Sequence, residues 1–216
     1  MTAHTLSALG AGFSDEALGS QAVFRGVLQA LSQPGQPVRM DHDAEVPEGG
    51  HSASAAALLA LLDSDCTLWL SPRLAAGNAG MWLRFHTGCQ LVDAPEQAHF
   101  VWVAAGDAMP PLHTLAQGGD ACPEQSATCV LDVDAMDAVD TNAVAPGAWR
   151  LSGPGIRDAQ HLQVRGMPAG FERQWADNHA AFPRGVDVLL ATATHLAGLP
   201  RTTGIPSAAV EACACT

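Results

Sequence analysis

A chain of 216 residues, of which 48% are hydrophobic and 15% charged, is predicted to form one globular domain, because that length buries a sizeable core and no long linker interrupts it. No apolar run approaches the roughly 20 residues of a membrane-spanning helix, and the first residues lack a secretory signal pattern, so we expect a cytoplasmic protein that does not enter a membrane. The net charge of −12 excludes nucleic acid as a general partner, since phosphate binding requires a basic surface.

The first half of the chain is predicted to alternate helices with short strands. A helix starts at Ser14-Asp15-Glu16 and stops at Ser32-Gln33-Pro34-Gly35, with a stripe at helical spacing that we expect to be buried. That stripe contains Leu18, Phe24, Val27, Leu28 and Leu31. The further predicted elements are a strand over 37–40, an acidic loop over 41–50, an interior helix over 55–62 capped by Ser52 or Ser54, a buried strand over 66–70 and a helix over 77–86 that Thr87-Gly88 closes.

The second half is predicted to be richer in strands. In chain order we expect a strand over 100–103, a weak helix over 110–117, a strand over 128–133, a solvated acidic loop over 132–140, a strand over 149–152, a sharp turn over 153–156 and a helix over 170–178. The apolar run 186–190 and its return through 194–199 indicate an antiparallel hairpin. Pro200 cannot donate a ladder hydrogen bond, so the return strand should lie at an edge or end there.

Several classes of chemistry are excluded by residue types that are missing. All ten basic residues are arginine, so no lysine can form a Schiff base with pyridoxal phosphate or contact nucleotide phosphates in a Walker motif. No motif places a nucleophile beside a histidine base. The six cysteines lack metal-ligand spacing and are expected to be reduced, so we predict neither a metal site nor a cofactor. The residues alone thus give an α/β or α+β domain without an identifiable active site.

Two short segments supply candidate ligand or interface residues. Arg201, Thr202 and Thr203 are predicted at a sheet rim, where one guanidinium beside two hydroxyls can grip a phosphate or carboxylate. The alternative is that Arg201 caps carbonyl groups at a strand end. Arg84 and His86 lie two residues apart on a predicted helix and so point to different faces; the alternative for His86 is a histidine at a helix C-terminus, which the helix dipole favours.

Six short motifs follow one another in a specific order from about residue 22 to 203. They are Phe24-Arg25 through Ser32-x-Pro34-Gly35, the helix–strand unit 58–70, Leu83-Arg84-Phe85-His86-Thr87-Gly88, Leu151-x-Gly153-x-Gly155-Ile156, Phe182-Pro183-x-Gly185-Val186-Asp187 and Leu199-Pro200-Arg201-Thr202-Thr203. Each motif is weak, but their order and spacing resemble the PhnH family, a subunit of bacterial carbon–phosphorus lyase. The acidic run 132–140 departs from the family pattern.

The resemblance implies a single three-layer α/β domain over 1–216, with 1–12 and 204–216 as peripheral tails. Its mixed central sheet would be flanked by helices, similar to the large domain of PLP-dependent transferases without the cofactor, and the chain would form a homodimer. It also implies PhnG, PhnI, PhnJ and PhnL as partners.

With PhnG, PhnI and PhnL, the family is associated with making α-D-ribose 1-alkylphosphonate 5-triphosphate from MgATP and an alkylphosphonate, with release of adenine. Whether this chain itself is an enzyme stays open. One hypothesis is a subunit that is non-catalytic alone and shapes or docks onto the complex. The alternative is a subunit that binds an anion or nucleotide, or acts catalytically, through an arginine-lined remnant of the old cofactor cleft. Six arginines against four acids in residues 150–201 keep that alternative open.

Overall fold

The computed structural model describes residues 9–140 and 146–206. Its helices are α1 (Glu16–Ser32), α2 (Ser52–Leu61), α3 (Pro72–Ala76), α4 (Ala79–Thr87) and α5 (Phe171–Ala180). Its strands are β1 (Val38–Arg39), β2 (Thr67–Leu70), β3 (Gln90–Leu91), β4 (Phe100–Val103), β5 (Thr128–Asp132), β6 (Ala135–Val139), β7 (Trp149–Leu151), β8 (Gln160–Arg165), β9 (Asp187–Ala191) and β10 (His195–Leu199). Short 3₁₀ turns cover Pro95–Gln97, Leu112–Thr114 and Pro123–Gln125.

Seven strands form one mixed sheet in the order β1-β10-β9-β5-β4-β2-β3. Strands β9, β5, β4, β2 and β3 are parallel to one another, whereas β10 is antiparallel to both of its neighbours, β9 and β1. The predicted hairpin and the mixed sheet are therefore confirmed. Pro200 follows the last residue of β10, where no ladder hydrogen bond is required of it.

The two faces of this sheet are covered differently. One face packs against α1 to α4 through residues such as Val27, Leu58 and Trp82. The other packs against α5 and against a second sheet, three antiparallel strands in the order β6-β8-β7. The three layers agree with the expected α/β architecture. The expectation that helices flank both faces holds for the first face, whereas the second face is covered by one helix and a small sheet.

Helix α1 buries a different face from the one predicted. Its buried residues are Val23, Val27 and Ala30, while Leu18, Phe24 and Leu28 are 65%, 42% and 50% exposed. The cause is close packing on β10, where a Cβ atom at Gly198 would lie 2.5 Å from the Ala30 carbonyl oxygen. Only small side chains fit such a contact, so the predicted stripe was wrong apart from Val27 and the half-buried Leu31.

Three further expectations differ from the structure. The acidic run 132–140 is a strand over most of its length, β6, because Met136 faces the core and pairs with Val164 of β8. The weak helix over 110–117 is a single 3₁₀ turn. Strand β8 was missed because its polar residues are only half-buried and interrupt any apolar run.

The described parts of the predicted tails contact the body of the domain. Leu9 is buried. The Ala11 carbonyl oxygen accepts a hydrogen bond from the Glu45 backbone N–H, and the Ala11 N–H donates to the Glu45 side-chain Oε2, both at 2.9 Å. Gly204 forms an antiparallel bridge with Ser152. The rest of both tails, with Cys213 and Cys215, lies outside the described residues. Within 9–140 and 146–206 no helix has the length and apolar character needed to span a bilayer.

Candidate functional site

The two predicted groups of site residues lie in separate parts of the fold. Arg84 and His86 lie in the last turn of α4, which packs beside β3 at one edge of the sheet. Arg201 follows β10 and contacts Asp187 at the start of β9. Since β9 and β3 are four strand spacings apart, roughly 19 Å separates these parts of the sheet. They do not form one ligand site.

Arg201 has all five of its side-chain N–H groups engaged within the chain. Its Nε and Nη2 donate to the two Asp187 carboxylate oxygens at 3.1 and 2.6 Å, and its Nη1 donates to the Pro123 and Pro183 carbonyls at 3.0 and 3.3 Å. Nη2 also donates to the Ser126 hydroxyl. With a side chain only 11% exposed, Arg201 fastens two loops to the sheet, as expected if it caps carbonyl groups.

The two threonines after Arg201 contribute to the same internal packing. Thr203 is buried, and its carbonyl oxygen accepts a hydrogen bond of 2.8 Å from Trp175 Nε1. Thr202 is half-buried, and a Cβ atom at Gly153 would lie 2.6 Å from its carbonyl oxygen. Gly155 in turn has φ +83° and lies against the Ser32 carbonyl oxygen. Four family-like motifs therefore meet in one packed region at this end of the sheet.

His86 packs against the N-terminal segment. Its Nε2 lies 3.2 Å from the Gly10 carbonyl oxygen, and its ring makes edge contacts with Trp82 and Phe85. Arg84, two residues earlier, is exposed. The helix ends as expected, with Gly88 in the left-handed conformation at φ +77°.

A cavity of about 480 Å³ opens at the carboxyl ends of β4 and β5. In open α/β sheets this end of the strands is where ligands bind. Among the described residues that line it, the charged side chains are Asp107 and Asp132, and none is an arginine. Its apolar wall includes Met109, Met167 and Pro168.

Asp132 is the residue at this cavity whose burial the sequence did not predict. The sequence predicts it both at the end of the strand 128–133, which is correct, and at the start of a solvated acidic loop, which is wrong because the residue is only 4% exposed. Its Oδ1 accepts from the Ser54 hydroxyl and from Trp102 Nε1 at 3.1 Å, and its Oδ2 accepts from the His51 backbone N–H at 2.8 Å. The available signal was alternation: Asp132 follows Val130 by two residues on one strand, so it faces the same helix layer.

The Asp132 carboxylate lies at the N-terminus of α2, where a negative charge interacts favourably with the helix dipole. His51 is the N-cap and makes no side-chain capping bond, so the expectation that Ser52 or Ser54 caps the helix was wrong. Burial raises the pKa of Asp132, although the hydrogen bonds from Ser54 and His51 oppose that rise. A resident carboxylate thus takes the position that an anionic ligand would need.

The arrangement is poorly suited to binding a triphosphate or a phosphonate. The cavity wall offers such anions no free positive charge: its charged side chains are carboxyl groups, and Arg73 beside it is paired with Asp107 at 3.6 Å. The best arginine candidate from the sequence, Arg201, is committed to Asp187 and to carbonyl groups. The hypothesis of an arginine-lined cleft is therefore not supported. Among the described residues no cluster of three or more metal-ligating side chains occurs.

An exposed apolar surface lies on the opposite layer, and we call it the α1 surface. It consists of Leu18, Phe24 and Leu28 of α1 with Phe85 of α4, all large side chains at least 42% exposed. Phe24 and Phe85 line two adjoining grooves, which share Ser20 and Ala60. Large exposed apolar side chains grouped in this way are typical of a protein–protein interface.

Comparison with known proteins gives a consistent result. Residues 11–206 match the sequence profile of a family described as "Bacterial phosphonate metabolism protein (PhnH)". The chain is similar to the "Alpha-D-ribose 1-methylphosphonate 5-triphosphate synthase subunit PhnH" of Rhizobium meliloti (strain 1021), with 35% identity over 94% of this chain and 98% of the relative. It is also similar to the "Putative C-P lyase subunit protein HtxG" of Stutzerimonas stutzeri, with 34% identity over 86% of this chain and 85% of the relative.

Proposed function

Because the chain belongs to the PhnH family of bacterial phosphonate metabolism proteins, we propose that it is a subunit of the carbon–phosphorus lyase machinery. In that role it is required, with PhnG, PhnI and PhnL, to form α-D-ribose 1-alkylphosphonate 5-triphosphate from MgATP and an alkylphosphonate. The observation that carries this proposal is the family match over nearly the whole chain, from residue 11 to 206.

The chain is proposed to have no activity by itself. Displacing adenine from ribose requires a positioned acid, an aligned phosphonate oxygen and positive charge for the triphosphate. The cavity at the strand ends offers carboxylates in place of that positive charge. The chain also has no lysine, and Arg201 has no side-chain donor left for a ligand.

The proposed role in the complex is assembly, in the cytoplasm, with a second copy of the chain and with PhnG, PhnI, PhnJ and PhnL. The α1 surface supports a homodimer, because a twofold interface places the same apolar patch of each copy against the other. Residues 150–201 contain more arginines than acidic residues, whereas the first part of the chain is strongly acidic. This uneven charge supports charge-guided docking of other subunits on the remaining surface.

The fold is further proposed to be related to the large domain of PLP-dependent transferases. Two observations support this relationship: a seven-stranded sheet in which β10 alone runs against the others, and a sequence without the lysine that a PLP enzyme needs. On this proposal the cofactor was lost and the fold retained.

Adenine release tests the proposed function. MgATP and methylphosphonate are supplied to the purified chain, to the PhnG, PhnI and PhnL mixture without it, and to the complete mixture. We expect adenine only from the complete mixture. Release by the chain alone contradicts the non-catalytic role, and full release without it contradicts any role in the synthase.

The homodimer is tested separately by light scattering on the isolated chain. We expect about twice the chain mass of 22.3 kDa, and we expect Phe24→Glu in the α1 surface to give the monomer. Phe182→Glu is the matched control, since Phe182 is 60% exposed but lies beyond α5 on the other layer. A monomeric wild type, or dissociation by the Phe182 variant alone, contradicts the α1 surface as the dimer interface.

A further inference from the structure

Two cysteines face each other at the edge of the large sheet. The parallel pairing of β2 and β3 joins Thr67 to Gln90 and Leu68 to Leu91. One residue earlier on each strand, the same register aligns Cys66 with Cys89, and the Gln90 N–H donates to the Cys66 carbonyl oxygen at 2.9 Å. The pairing therefore extends to the two cysteines.

The geometry of that alignment is compatible with a disulfide. Neighbouring strands are roughly 4.8 Å apart, and disulfides join Cα atoms about 4.4 to 6.8 Å apart. Side chains in register on parallel strands point to the same face of the sheet, and both cysteines pack in the core on the helix face. Both thiols are free in this structure.

The other two described cysteines lack such a neighbour. Cys129, the second residue of β5, is buried and packs on the opposite face of the sheet. Cys122 lies in a loop at the start of a 3₁₀ turn. Among residues 9–140 and 146–206, the arrangement of two thiols in strand register is confined to Cys66 and Cys89.

We propose that Cys66 and Cys89 form a thiol-oxidation site, which closes to an intramolecular disulfide when a low-molecular-weight disulfide acts as the oxidant. Cys66 is the partly exposed member and reacts first: its thiolate attacks one oxidant sulfur, breaks the oxidant's S–S bond and expels one small thiolate. Cys89 then attacks the Cys66 sulfur of the mixed disulfide and expels the second. Two protein thiols lose two electrons and two protons, and one small disulfide gains them as two small thiols.

The setting of the pair determines when this reaction occurs. Burial raises the pKa of both thiols above the ordinary cysteine value, so they are protonated and slow to react at neutral pH. The rate of disulfide formation should therefore increase as the pH rises from about 6.5 to 8.5. The bond would tie β3, an edge strand paired only with β2, covalently to the sheet.

The test is peptide mapping of the folded full-length chain after incubation with glutathione disulfide at pH 8, followed by alkylation of the remaining thiols. Trypsin and a glutamate-specific protease together give peptides 49–73, 85–96, 97–124 and 125–150, each with one of the four described cysteines. We expect peptides 49–73 and 85–96 to be joined, and Cys122 and Cys129 to be alkylated or carry glutathione singly.

Two matched variants complete the experiment. In Cys89→Ser, Cys66 should keep a glutathione adduct, because the resolving thiol is absent; in Cys122→Ser, the 49–73 to 85–96 link should form as in the wild type. The proposal is overturned if the folded wild type yields both cysteines alkylated at pH 8. It is equally overturned if the link appears only after unfolding in urea, or if Cys66 joins Cys122 as readily as Cys89.

Discussion

Replacing Arg201 with alanine is expected to destabilise the fold by about 3 kcal/mol. Removing one partner of a buried ion pair costs about 3 to 5 kcal/mol, because the other charge is left without compensation. The lower end applies here because Asp187 is 28% exposed and is partly rehydrated. The carbonyl groups of Pro123 and Pro183 also lose their donor.

The measurement is urea unfolding followed by tryptophan fluorescence, since Trp175 donates to Thr203, two residues from Arg201. A loss of about 3 kcal/mol reduces the ratio of folded to unfolded protein more than a hundredfold, and it lowers the Tm by roughly 6 to 12 °C in a chain of this size. Protein concentration is held constant across variants, because association of the chain contributes to its apparent stability.

Arg184→Ala is the matched control for Arg201→Ala. Arg184 pairs with Asp120 at 3.4 Å, but the two side chains are 56% and 81% exposed, and such a surface pair contributes less than about 1 kcal/mol. The structural interpretation is refuted by two results together. The free energy of unfolding of Arg201→Ala would lie within about 1 kcal/mol of the wild-type value, and the synthase assembled with this variant would need more MgATP or phosphonate. Arg201 would then be a ligand residue.

Two further changes test the interior. Burial raises the pKa of Asp132 in the folded chain above its unfolded value, so its contribution to stability is present at low pH and is lost as the pH rises through the folded pKa. The stability of wild type relative to Asp132→Asn should therefore fall in urea titrations as the pH rises above about 3.9, the ordinary pKa of an aspartate in an unfolded chain. A rise would show that the fold favours the ionised form. Gly155→Ala should cost about 2 kcal/mol or more, since φ is +83° and a Cβ would overlap the Ser32 carbonyl oxygen. Gly170→Ala, with φ +76° and open space around it, should cost about 1 kcal/mol by thermal unfolding; equal losses would contradict the close contact.

The sheet was predictable because its central strands carry local signals. The runs 100–103, 128–133 and 186–190 are short, apolar and rich in β-branched residues, and they became β4, β5 and β9. Strand β3 and the three-stranded sheet were harder to predict from local sequence. Strands β6 and β8 are stabilised by pairing with each other and by burying single residues such as Met136 and Leu162, which no local run reveals.

The buried face of α1 and the role of Arg201 depend on tertiary contacts. Two sets of apolar residues on α1 have helical spacing, and the set with the larger side chains was predicted to be buried. The set with small side chains is buried instead, because Gly198 lies so close to Ala30. The partners of Arg201 are up to 78 positions away in sequence. The sequence spacing therefore could not show whether Arg201 binds a ligand or hydrogen-bonds to other parts of the chain. The position of Asp132 beside α2 depends likewise on a contact with Ser54, 78 positions earlier.

The contact between α1 and β10 has a mechanical consequence. At Gly198 the strand meets the Ala30 backbone with no side chain between them, so this contact has no rotamer through which to adjust. Packed interiors have low compressibility and transmit strain, and sliding of one element past another requires side chains that can repack. We therefore expect helix α1 to shift together with strand β10 rather than to slide along it.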